Sequence, residues 1–197
     1  VDGHEVTALR IAVYDLYWST LGGGEQVDGT IAQVLAEAGH DVTLLGPRPP
    51  DVERTRERLG VDLSRCDHRV VVDDDAASTE SADFDVFVNG TYLSRAVNRA
   101  EVGYYYVHFP QVPQRQVDRV RNRVYIGAVK GLGSLSKREL PLRLREVQAG
   151  FDRRVARTHF IPSYQRYLAN SSFTAEWVER LWGVVADVLY PPVRPSV

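Results

Sequence analysis

Four short segments of the sequence, each directly behind an apolar run, carry residue types that could do chemistry: 22–25, 89–91, 108–110 and 170–172. The first holds Gly22, Gly23 and Gly24. Consecutive glycines let backbone approach a ligand closely, and a helix that begins there offers unpaired N–H groups and the positive end of its dipole, which suits a phosphate. The dinucleotide fingerprint GxGxxG nevertheless fails. Val27 stands where a third glycine or alanine is needed, and the second apolar run ends Leu45, Gly46, Pro47 with no carboxylate for a ribose hydroxyl. The P-loop pattern GxxxxGKS or GxxxxGKT is absent too. Both readings disfavour NAD and P-loop nucleotides, and a tight turn without a ligand remains the competing account of the three glycines.

His108 follows GYYYV and precedes Phe109 and Pro110, so its ring should project from the end of a strand. An imidazole there can hydrogen-bond a hydroxyl or a developing charge, and its ordinary pKa of about 6.5 makes both protonation states accessible. Taken alone, it reads equally as a structural histidine. His4, His40, His68 and His159 lack ligand-like spacing, and the lone Cys66 can form neither an internal disulfide nor a cysteine-rich zinc site, so no metal is expected. Asn89-Gly90-Thr91 and Asn170-Ser171-Ser172 match the glycosylation sequon. The N-terminal VDGHEVTALR has no basic-then-apolar signal pattern, so both are read as site-edge or capping residues of a soluble, cytoplasmic protein.

The elements that must position these residues follow from hydrophobic periodicity. RIAVYDLYW at 10–18 reads as a buried strand, and Val27, Ile31, Val34, Leu35 and Ala38 recur at helical spacing up to Gly39. DVTLLG at 41–46 is a second strand, which completes a βαβ unit and predicts a parallel sheet. A short helix is expected at 51–59 and strands at 70–72, 85–90, 103–110, 167–172 and 187–193. Long helices are expected at 117–135 and 139–158, and another at 174–182 with Ser172 as N-cap. The fold expected is an open parallel Rossmann-like α/β sheet flanked by helices, whose ligands lie beyond the carboxyl ends of the strands.

Composition excludes disorder and disulfide scaffolds: 44% of the 197 residues are apolar and 25% charged, with one cysteine. The net charge of −2 conceals an asymmetry. Residues 1–111 carry 9 basic against 19 acidic side chains, and 112–166 carry 13 against 4. A basic block of that kind is an electrostatic footprint for phosphates or an anionic membrane surface, Arg143, Arg145, Arg153 and Arg154 among its members, unless it is a solvated helical face. Nucleic acid is not expected, because the block has few aromatics beyond Tyr125, Phe151, Phe160 and Tyr164 on which bases could stack.

Three stretches together, GGGEQVDGTIAQVLAEAGHDVTLL, VHFP and YLANSSFTAEWVERLWGVVADVLYPPV, resemble the N-terminal domain of GT-B-fold glycosyltransferases of family 4, closest to the mannosyltransferases that extend lipid-linked oligosaccharides. The resemblance runs from about residue 10 to 193. It implies a retaining transfer of a hexose such as mannose from a nucleotide sugar to a glycan, lipid-linked or small-molecule acceptor, without a metal or other cofactor. On it, Gly22, Gly23 and Gly24 match the loop that closes on the donor diphosphate, and His108 matches the histidine near the reacting sugar. Asp15, Asn89 and Thr91 match strand ends on the acceptor side, and Asn170 and Ser171 the strand end facing the interdomain cleft. Residues 1–9 would be a tail, 10–190 the acceptor-side domain, and 191–197 the start of a linker to a donor-binding domain that holds the family's acidic ExxxxxxxE motif. That motif is absent here, and so is any Met, so the chain is expected to be an excised half-enzyme, inactive alone and possible to find at the inner membrane face. A non-enzymatic Rossmann-like binding or regulatory module is the alternative.

Overall fold

A computed structural model describes residues 7–110 and 159–193. The expected helices at 117–135 and 139–158, and the basic block up to residue 158, lie outside the described residues. Seven strands form one sheet, every pairing parallel: β1 (Arg10–Tyr14), β2 (Asp41–Gly46), β3 (Asp67–Val70), β4 (Val86–Asn89), β5 (Val102–Val107), β6 (Arg166–Ala169) and β7 (Asp187–Val188). Their spatial order is β3-β2-β1-β4-β5-β6-β7. The helices are α1 (Gly23–Glu37), α2 (Val52–Leu59), α3 (Asp74–Glu80) and α4 (Ser172–Trp182). The open parallel α/β architecture expected from the periodicity is the one observed. Among the described residues no helix is long and apolar enough to cross a membrane.

Strand alternation divides the core between two faces. Ile11 and Val13 point toward α1 and α2 and pack with Leu44, Val88, Ala32, Ala36 and Leu59. Ala12 and Tyr14 point the other way, into a layer of Leu45, Phe87, Tyr105, Val107, Tyr167 and Phe160 with Ala77 of α3 and Val178 of α4. Phe160 and Tyr164 are buried in that layer, so they offer no stacking platform to a base.

Several boundaries differ from expectation for local physical reasons. β3 occupies 67–70 rather than 70–72, because its pairing with Thr43 to Gly46 of β2 sets its register. Helix α3 has no apolar periodicity to announce it. It starts because Asp73 accepts the Ala76 N–H at 2.8 Å, with Asp74 and Asp75 at the favourable end of the dipole. The cap of α4 is Ser171, not Ser172: its extended backbone leaves the hydroxyl free to accept the Thr174 N–H at 3.2 Å. The first strand ends at Tyr14 and the last spans two residues, both shorter than the apolar runs suggest.

Two glycines contrast in what surrounds them. A Cβ on Gly46 would lie 2.5 Å from the Trp18 ring and 2.7 Å from the Asp15 carbonyl oxygen, whereas one on Gly23 would meet nothing within 4 Å. Gly46→Ala should therefore destabilise the fold by about 1–3 kcal/mol through overpacking, and Gly23→Ala should change stability by no more than about 0.5 kcal/mol. Urea unfolding of both variants checks the pair, and equal stabilities would contradict the packing at the end of β2.

Candidate functional site

The order of strand addition reverses at β1, which pairs with β2 on one side and β4 on the other. Chain leaving β1 turns toward α1 and chain leaving β4 turns away, so a crevice opens at their carboxyl ends. A cavity of about 410 Å³ lies there, walled by Asp15, Tyr17 and Thr20 after β1, the glycine turn and Glu25, Gly90 and Tyr92 after β4, and His108 after β5. A larger cavity of about 530 Å³ lies beside α1 on a sheet face and is walled mainly by apolar side chains such as Ile31, Val34, Val86 and Leu168. Polar groups converge on the smaller one.

The glycine turn becomes the first turn of α1. Gly22 donates its N–H to the Glu25 carboxylate, while helix geometry leaves the N–H groups of Gly23, Gly24 and Glu25 without a partner one turn back. Gly24 is the point of closest approach to the histidine: a Cβ on it would stand 3.4 Å from His108 Cε1.

His108 is held from two directions. Its Nε2 lies 3.0 Å from the Gly90 carbonyl oxygen, which only accepts, so Nε2 carries the proton and Nδ1 is left as the acceptor of the neutral ring. Its own carbonyl accepts the Asn170 side-chain N–H at 2.9 Å. Tyr106 and Tyr92 meet the ring edge-on at 5.1 and 6.1 Å between centroids. Burial lowers the imidazole pKa below its usual value, against opposing contributions from the Gly90 carbonyl and the Glu25 charge.

Of the residues singled out in the sequence, Asp15, Gly22, Gly23, Gly24 and His108 meet at this cavity. Asn89, Thr91, Asn170 and Ser171 do not line it. Asn89 is fully buried and donates to Ser94 and Tyr164, both at 2.9 Å. Thr91 accepts the Leu16 N–H and donates to the Tyr14 carbonyl, tying the chain after β4 to the chain after β1. Asn170 supports His108, and Ser171 caps α4.

The residue that the sequence did not reveal is Asp28. It is fully buried on α1, and neither carboxyl oxygen meets a hydrogen-bond donor. Its oxygens press on Gly90, where a Cβ would fall 1.8 Å from Oδ1, and its carboxyl is the partner of the Asp15 carboxyl. Burial pushes Asp28 well above the carboxylate range, aided by the charges of Asp15 and Glu25. Burial also raises Asp15 to about 7, although it accepts the Tyr17 N–H at 2.8 Å. Among the described residues no group of three His, Cys, Asp or Glu side chains is placed to hold a metal ion.

No family model matches this chain, and no curated protein matches it significantly.

The lowered pKa makes His108 neutral at physiological pH, with its ring charging only at more acid pH. The NMR titration of its ring carbons should show a midpoint below 6.5, and Glu25→Gln should move it lower still, because the variant removes a charge that favours imidazolium. A midpoint above that of the exposed histidines would contradict the burial of the ring.

Proposed function

We propose that this chain is the glycine-turn half of a retaining glycosyltransferase, which moves a hexose from a nucleotide sugar to a glycan, lipid-linked or small-molecule acceptor. One observation carries the reading: the His108 ring packs against the Gly24 backbone, so a group lying on the glycine turn also lies along the histidine. The sequence resemblance to family 4 glycosyltransferases supports the same assignment. In the reaction the anomeric C–O bond to the diphosphate breaks, the acceptor oxygen takes its place, and the acceptor proton leaves with the diphosphate.

Each part of the cavity has a role in that chemistry. Negative charge grows on the departing diphosphate, and the N–H groups of Gly23 and Gly24 at the positive end of α1 are fixed dipoles suited to it. Glu25 sets a condition, because its carboxylate already takes the Gly22 N–H and repels a close anion. The diphosphate is therefore bound weakly by this half alone. His108 Nδ1, an acceptor in the neutral ring, orients a sugar hydroxyl, and Asp15 faces the acceptor side. No metal is required. The basic block of residues 112–166 is assigned the anionic membrane contact, at the cytoplasmic face.

Titration of UDP- and GDP-sugars into the labelled chain tests the reading. The Gly23, Gly24 and His108 signals should shift with weak affinity for at least one of them, and His108→Ala should abolish the shift at Gly24 while leaving the fold intact. In an active, complete enzyme the same substitution should lower turnover by about two to three orders of magnitude, the cost of losing one transition-state hydrogen bond. Perturbation confined to sites remote from the glycine turn, or a His108→Ala enzyme of normal turnover, would overturn the proposal.

A further inference from the structure

We propose that Asp15 and Asp28 share a single proton at neutral pH, so that the Asp15 carboxyl in the wall of the cavity is one half of a singly charged acid–carboxylate pair. Asp28 lies in the apolar interface between α1 and the sheet, is fully buried, and has no N–H or O–H group donating to either oxygen among the described residues. An ionised carboxylate left so is among the costliest arrangements a protein interior can hold. The polar group it does meet is the carboxyl of Asp15, itself 2% exposed. Two carboxylates in contact repel, whereas one proton between them turns the contact into a short, charge-assisted hydrogen bond.

Among the described residues no cation stands beside the pair to change that balance. Asp15 comes from the end of β1, Glu25 and Asp28 from α1, Tyr106 from β5 and His108 from the turn beyond it. The strand β4 side contributes the uncharged Gly90, against which Asp28 is closely packed. Burial keeps His108 neutral at physiological pH, so it supplies no compensating charge. Glu25 adds negative charge and so favours retention of the proton. Asp15 borders the cavity and Asp28 lies behind it, which makes Asp15 the member that a ligand would meet. This inference concerns the protonation of the pair and does not depend on the reaction proposed above.

The test uses the whole 197-residue chain labelled with ¹³C at the aspartate carboxyls and needs no sugar. One proton should remain on the pair at about pH 6, two units above the point at which ordinary aspartates have lost theirs. The sign of the stability effect follows from linkage. The folded pair keeps a proton that the unfolded chain releases above pH ~4, so stability is full below that point and falls as pH rises toward the folded value. The folding constant should drop about tenfold per pH unit for the one retained proton. Asp28→Asn should remove that slope, since the new amide N–H donates to Asp15 and needs no shared proton. Asp15→Asn supplies the same comparison should Asp28→Asn fail to fold. Complete ionisation of both wild-type carboxyls below about pH 5, or an unchanged slope in the folded variant, would overturn the proposal.

Discussion

The site depends on the two-sided pairing of β1. Parallel ladders bind Ile11 and Val13 to Val42 and Leu44 on one side and to Val86 and Val88 on the other. The strand therefore sits at the point where successive connections diverge. Three of the residues that line the cavity arrive there from strand ends beside one another in the sheet: Gly90 one residue past β4, His108 one past β5, and Asp15 one past β1 itself.

A row of cross-ties keeps those strand ends in place. Thr91 joins the chain after β4 to β1, Asn89 joins it to Ser94 and Tyr164, and Asn170 joins β6 to the His108 carbonyl. On the far face, Asp74 accepts from the Tyr14 hydroxyl at 3.0 Å, the Ser94 hydroxyl at 2.7 Å and the Arg95 N–H at 2.7 Å. Buried polar side chains satisfied in this way restrict a structure to one arrangement, because an unmade bond there costs the full desolvation of the group. The cavity thus has walls of glycine and carboxyl groups on a rigid polar frame.

Helix α1 shows where reading a sequence by apolar periodicity misleads. Val27, Ile31, Val34, Leu35 and Ala38 mark one face, yet Val34 is 56% exposed, and the face turned to the sheet holds Asp28, Gly29, Ala32 and Ala36. Small residues let the helix approach closely: a Cβ on Gly29 would stand 2.9 Å from Val61. Periodicity scores size and hydrophobicity, so it overlooks a stripe of small residues and treats a carboxylate beside them as solvent-facing. The spacing of Gly29, Ala32 and Ala36 was the available signal, and it would have placed Asp28 on the buried side. The glycine turn and His108 were legible because each follows an apolar run read as a strand, whereas Asp15 was read inside the first strand and was named only through the family resemblance.

The sequence by itself determined the succession of the seven strands along the chain, the parallel βαβ beginning, and the emergence of Gly22, Gly23, Gly24 and His108 at strand ends. These are properties of local periodicity and turn chemistry, which act over a few residues. Only the tertiary structure decided the strand order, the register of β3, and the meeting of Asp15, Asp28, Gly90 and His108 in one place. Those depend on ladders between segments dozens of residues apart and on how closely α1 lies on the sheet. The burial of Asp28 arises from that closeness, for the same carboxylate on a more distant helix would reach water.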